Sequence, residues 1–298
     1  MSYDALENVN TIKLGFLDRL RLRVRLLLSK AAYRLYSLGF ERQETIEAIA
    51  NLQRDLAANS AIRTGYVDHY TESQELATWR KYKGEFLRRS KEGSEVVFRA
   101  VAVRDELLKL IENDRRIENV VNFGCAYGWL EGEVASRCAE VKVWGIDRSE
   151  SAMSLNRNEF GFANCSFVAG EILEFMKGNS AAVRNGIFCH VNIGVYFLPS
   201  FLTELYRAAC AGECLYVIVF EPSGVSRQSG EYYRYSFGVE ESVVFRGPML
   251  LHNYPNLLER GGYEVIGARL YAPPHAHKDF RSVMFIGRRM AEGKEISK

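Results

Sequence analysis

At 298 residues the chain is long enough for one large domain, or for one domain with an appendage. Its 47% apolar and 26% charged residues suit a globular protein, and a formal charge of +2 lacks the basic excess of nucleic-acid-binding domains. Six cysteines with no CxxC pair, no secretory leader pattern and no apolar run near the roughly 18 residues of a membrane span set the expectation. It is a reduced, cytoplasmic protein with buried thiols and no metal.

Residues 1–93 read as helical with little strand character, so an N-terminal helical cap is expected there, followed by one domain over 94–298. Within the cap, 12–40 carries Lys13, Arg19, Arg21, Arg23, Arg25, Lys30 and Arg34 against the single acid Asp18, with an apolar stripe at helical spacing. Such a segment packs as a cap helix on the domain, or on a second subunit in a homodimer. Its charge also allows peripheral contact with a membrane surface.

From Glu95 the pattern alternates. A helical spacing over 95–113 is followed by apolar runs at 119–123, 141–146, 164–168, 186–193 and 214–220. Helix-like stretches at 129–138, 150–158, 171–177 and 199–210 separate them, which predicts a parallel sheet covered on both faces. After a helix at 253–260, the runs 263–271 and 281–288 are joined by APPHAHKDF, too short for a crossover, so they form an antiparallel hairpin. The connection 222–262 is long and rich in tyrosine, and long connections are commonly functional.

Two stretches carry chemistry. VVNFGCAYGWL (120–130) ends an apolar strand at Gly124, leaves Gly128 four positions on and restarts at once as a helix. Glycine there lets a ligand approach the backbone, and the helix N-terminus offers unpaired N–H groups. VWGIDRS (143–149) ends the next strand on Asp147, placed to accept hydrogen bonds from ribose hydroxyls. The dinucleotide fingerprint GxGxxG fails, because its third glycine would fall on Trp129.

These residues resemble the class I S-adenosylmethionine-dependent methyltransferases over roughly 95–298. VVNFGCAYGWL is similar to the family's first motif, with Ala126 in place of the middle glycine and Asn122 where an acid is common. The resemblance implies a Rossmann-like, mostly parallel α/β sheet ending in an antiparallel hairpin, with S-adenosyl-L-methionine as cofactor. It implies cofactor contacts from Asn122, Phe123, Gly124, Cys125, Ala126, Gly128, Asp147, Arg148 and Asn192. FVAGEILEF (167–175) would bring Glu171 near the adenine amino group and Ile172 against the ring.

The expected activity is methyl transfer to an oxygen or nitrogen of a small-molecule acceptor, with no nucleic-acid partner. The alternatives are a lipid acceptor at a membrane surface, or a silent cofactor-binding scaffold. Candidate general bases are His190 on the fourth strand, His252 in the long connection and Glu221 at the end of the fifth strand. Tyr196, Tyr232, Tyr233 and Tyr235 are the expected acceptor contacts.

Overall fold

The computed structural model describes residues 98–197, 199–224, 242–246, 249–271 and 280–291. The cap expected over 1–93, the basic stripe 12–40 and Tyr232, Tyr233 and Tyr235 lie outside the described residues.

Helix α1 (Phe98–Asn113) leads into the alternation β1 (Asn119–Phe123), α2 (Trp129–Arg137), β2 (Lys142–Asp147), α3 (Glu150–Glu159) and β3 (Cys165–Ala169). Then come α4 (Ile172–Gly178), α5 (Ser180–Val183), β4 (Gly186–Val191), a 3-10 turn (Gly194–Tyr196), α6 (Pro199–Ala211) and β5 (Tyr216–Gly224). The long connection holds β6 (Ser242–Arg246) and β7 (Met249–His252), after which α7 (Tyr254–Arg260), β8 (Tyr263–Tyr271) and β9 (Phe280–Arg289) follow.

Seven strands form one sheet in the order β3-β2-β1-β4-β5-β9-β8. The first five are parallel; β9 lies antiparallel to β5, and β8 antiparallel to β9. This is the mixed Rossmann-like sheet that the apolar runs and the short 272–279 connection predict. The antiparallel pair β6–β7 forms a separate two-stranded sheet that the sequence patterning does not announce.

Two cores explain the continuous apolar runs. On one face, Val103, Leu107 and Ile111 of α1 and Leu130 and Val134 of α2 pack on Val120, Ile187, Ile218 and Phe220. On the other, Phe175, Leu202, Leu205, Leu257 and Leu258 of α4, α6 and α7 pack on Val121, Phe188, Val217 and Val219. Alternate residues of one strand thus serve opposite cores, so every position of β1 is buried. Among the described residues no helix is long and apolar enough to cross a membrane, and no three His, Cys, Asp or Glu side chains are grouped to hold a metal ion.

Candidate functional site

The carboxyl ends of the parallel strands meet along one edge, where open α/β sheets form their ligand crevice. Between β1 and α2 the backbone takes three left-handed conformations, at Gly124 (φ 72), Ala126 (φ 47) and Gly128 (φ 69). A side chain at Gly124 would put its Cβ 2.9 Å from Ile193 Cγ1; at Gly128 it would lie 2.8 Å from the Asn156 amide carbon and the Phe167 ring. The glycines therefore serve both the turn and the close packing around it. Trp129, at the position where the dinucleotide fingerprint has glycine, lies with its ring under Arg104 of α1, whose guanidinium carbon is 5.6 Å from the centroid.

Asp147 ties this turn to the tip of β2. Its Oδ2 accepts the Ala126 N–H at 3.1 Å and its Oδ1 accepts the Ser149 N–H at 3.1 Å. Asn156 of α3 closes the turn from the other side by donating to the Ala126 carbonyl at 2.9 Å. A carboxylate oxygen has more than one lone pair, so Asp147 keeps accepting capacity for hydroxyl donors. It stays half-buried, open to the crevice.

Several other expected contacts face inward. Asn122 is buried: its amide donates to Glu131 Oε1 at 2.5 Å and accepts from the Cys189 thiol at 3.5 Å. Phe123 packs its ring 5.2 Å from Phe197, and Cys125 is buried with its sulfur 3.6 Å from Met153 Sδ, a setting that pushes the thiol pKa well up. Ile172 is fully buried in the core and offers no face to a ligand. Arg148 and Glu171 pair across the tips of β2 and β3 at 2.8 Å, both about half exposed. Arg148, Glu171 and Asp147 therefore line the open side together.

At the tips of β4 and β5 the expected bases form one buried cluster. His190 Nδ1 lies 2.8 Å from Glu221 Oε1 and its Nε2 lies 2.8 Å from the Tyr206 hydroxyl. The same Glu221 oxygen accepts the Ile193 and Gly194 N–H groups at 2.9 and 2.8 Å. His252 donates from Nε2 to the Gly194 carbonyl at 3.1 Å, and burial pulls its pKa down to about 3. His190, Glu221 and His252 have no exposed surface, so in this conformation none of them reaches an acceptor. Together they fix the 192–196 turn, which carries half-buried Tyr196. The end of β7 thereby reaches the carboxyl edge, where the long connection was expected.

The sequence reading missed Arg99, Glu131 and Tyr206. Arg99, in the first turn of α1, donates to Ser282 Oγ from Nε (3.0 Å) and Nη2 (2.8 Å), and to Asn192 Oδ1 from Nη1 (3.2 Å). It reaches the same edge from a position 93 and 183 residues away from its partners. Glu131 is buried three residues past Gly128, with no hydrogen-bond partner for Oε2 among the described residues. Burial, partly offset by the Asn122 hydrogen bond, pushes its pKa up to about 7. An acid inside an otherwise helical spacing looks like a surface residue, and nothing local marks it as buried.

No family model and no curated protein matches the sequence. Solved structures with a similar chain path include magnesium protoporphyrin IX methyltransferase from Synechocystis PCC 6803 with bound S-adenosylhomocysteine. It is 11% identical with a TM-score of 0.46, covering 64% of this chain and 83% of that one. A geranyl diphosphate methyltransferase in complex with GPP and sinefungin is 11% identical, with a TM-score of 0.47 over 64% of this chain and 78% of that one. A TehB-like S-adenosylmethionine-dependent methyltransferase from Corynebacterium glutamicum is 12% identical, with a TM-score of 0.46 over 72% and 99%. At such identity these likenesses say nothing of substrate.

Proposed function

We propose that the chain is an S-adenosylmethionine-dependent methyltransferase acting on an oxygen or nitrogen of a small-molecule acceptor. The observation that carries this reading is the left-handed turn at 124–128 held to the Asp147 carboxylate on the neighbouring strand tip. A glycine cradle that a Cβ would fill, beside a half-buried acid, fits the amino-acid and ribose parts of such a cofactor. Arg148 and Glu171 would border its base.

When bound, the cofactor supplies an electrophilic methyl group, and the protein's share is orientation and exclusion of water. The buried His190–Glu221–Tyr206 cluster holds the 192–196 turn rigid beside that position. Asn192 and Tyr196 then face the acceptor. A silent cofactor-binding protein is the second reading, supported by the full burial of all three expected bases.

The test is calorimetry with S-adenosylmethionine and S-adenosylhomocysteine. Asp147→Ala removes a charged acceptor worth on the order of 1.5–3 kcal/mol and is expected to weaken binding at least about tenfold. Cys138→Ala, remote from the turn, is expected to leave affinity unchanged. Equal affinity of wild type and Asp147→Ala would remove the ribose assignment. Binding without methyl transfer to any of a panel of phenols, amines and carboxylates would favour the silent reading.

A further inference from the structure

The Asn122 amide donates to Glu131 Oε1 at 2.5 Å, and this bond joins the two ends of the turn. Asn122 lies two residues before Gly124, on β1, and Glu131 lies three residues after Gly128, in the first turn of α2. The amide is held from both sides. Its oxygen accepts the Cys189 thiol of β4 at 3.5 Å, which leaves the –NH2 for Glu131. Both side chains are buried. The bond therefore clasps β1 to α2 across the three left-handed residues Gly124, Ala126 and Gly128.

Glu131 Oε2 has no hydrogen-bond partner among the described residues, an uncommon state for a buried polar atom. The groups whose charge bears on Glu131 are Asp147 at the tip of β2, Cys125 in the turn, Cys165 on β3 and Cys189 on β4. None of these is a cation. Helix α1, packed against α2, brings Arg104, which is engaged by Asp105, Glu133 and the Trp129 ring. Burial outweighs the Asn122 bond, so Glu131 holds its proton up to about pH 7. Asp147, whose charge reaches Glu131, also holds the Ala126 N–H of the turn. A positive charge resting on the turn therefore acts on a buried acid that is still giving up its proton near neutrality.

We infer that Glu131 is a positioning residue for a cationic cofactor, acting through Asn122 on both ends of the turn that holds it. The inference rests on the methyltransferase reading and deepens it by coupling cofactor charge to a proton. Binding of the sulfonium draws the proton from Glu131 into solvent, and the ionised carboxylate holds Asn122 by a charge-assisted bond. The turn is firmest when it is loaded. Because the free protein carries the proton and the complex does not, affinity rises with pH across the neutral range.

The experiment is calorimetry with S-adenosylmethionine between pH 6 and pH 8, in buffers of different ionisation enthalpy so that released protons are counted. A tenfold preference of the cation for the ionised acid corresponds to affinity about fivefold higher at pH 8 than at pH 6, with about 0.4 proton released at pH 7. Glu131→Gln keeps the acceptor for Asn122 but has no proton to lose. The ligand's own amino group titrates alike against both proteins, so the difference between them belongs to Glu131. S-adenosylhomocysteine, which lacks the sulfonium charge, should show a smaller difference. Glu131→Met removes the clasp and should weaken S-adenosylmethionine about tenfold at pH 8, where the acid is ionised. If that variant folds poorly, the Gln comparison decides alone. Identical pH profiles and proton counts for wild type and Glu131→Gln, or a difference as large with S-adenosylhomocysteine, would overturn the inference. Unchanged affinity in a folded Glu131→Met would overturn it too. Failure of the wild type to bind S-adenosylmethionine at any pH would instead sink the methyltransferase reading beneath it.

Discussion

Gly124 and Ala126 have the same sign of φ but differ in how strongly they should respond to substitution. At Gly124 an added Cβ meets both the Cγ1 and the Cβ of Ile193, at 2.9 and 3.1 Å, and a branch carbon cannot swing aside. Left-handed geometry adds roughly 1–2 kcal/mol for any residue with a Cβ. Gly124→Ala is therefore expected to destabilise the fold by about 2 kcal/mol or more in urea unfolding. Ala126 already bears that strain at φ 47, where the family resemblance places a glycine. Ala126→Gly relieves it while loosening the unfolded chain by about 0.4–1 kcal/mol, so the net change should stay within about 1 kcal/mol. A large loss in Ala126→Gly would mean that its methyl group packs on something essential.

Secondary structure was readable where one physical rule dominated. Strands buried on both faces read as unbroken apolar runs, and β1 to β5 begin and end within a few residues of those runs. The terminal hairpin followed from connection length alone. The pair β6–β7 was not readable, since it sits in a long connection with no alternation clean enough to separate strand from loop. Of the candidate site, the turn at Gly124 and the position of Asp147 at the end of β2 were readable, because backbone demand and a strand-end acid leave a local mark. Glu131, Tyr206 and Arg99 were not, because their roles come from partners brought in by the fold: Tyr206 from His190, Arg99 from β4 and β9. His190 and Glu221 were readable as lying on the fourth strand and at the end of the fifth, but their burial was invisible. The edge strands show management that sequence alone does not predict. Arg157 bonds the Phe167 carbonyl at the β3 edge at 2.9 Å, and β8 carries an irregularity between Val265 and Gly267.

Two buried groups give the whole molecule an unusual relation to pH. Glu131 is raised from 4.5 to about 7, so folding favours its protonated form and stability is lost as pH rises through that window. His252 is lowered from 6.5 to about 3, so folding favours its neutral form and stability is lost as pH falls below 6.5. Each effect is on the order of 3–5 kcal/mol at 1.36 kcal/mol per unit. Between 4.5 and 6.5 the unfolded chain carries the proton on His252 and the folded chain carries it on Glu131. The proton counts match, so these two groups leave stability flat there. Glu131→Gln, which mimics the protonated acid, should remove one slope and expose the other. Its urea midpoint should fall as pH drops from 6.5 to 4.5 while wild type barely moves, and at pH 8 it should exceed wild type. Parallel pH profiles for the two proteins would refute the compensation.

The position of β9 between β5 and β8 also sets an order of assembly. Among the described residues β8 has no sheet neighbour except β9, and the outer edge of β5 has none until residues 280–289 arrive. Strands β1 to β3 pair residues roughly 20 apart in the chain and β8 meets β9 as a local hairpin, whereas β4 on β1 and β9 on β5 must close over much longer separations. Until then β5 presents an unpaired apolar edge, the kind of surface through which folding intermediates associate. Pulse-labelled hydrogen exchange during refolding should show β1, β2 and β3 amides protected early, with β8 and β9 gaining protection together and the β9-facing amides of β5 only when that pair docks. Simultaneous protection of all seven strands would show that the sheet forms in a single step, with no exposed edge for neighbouring chains to capture.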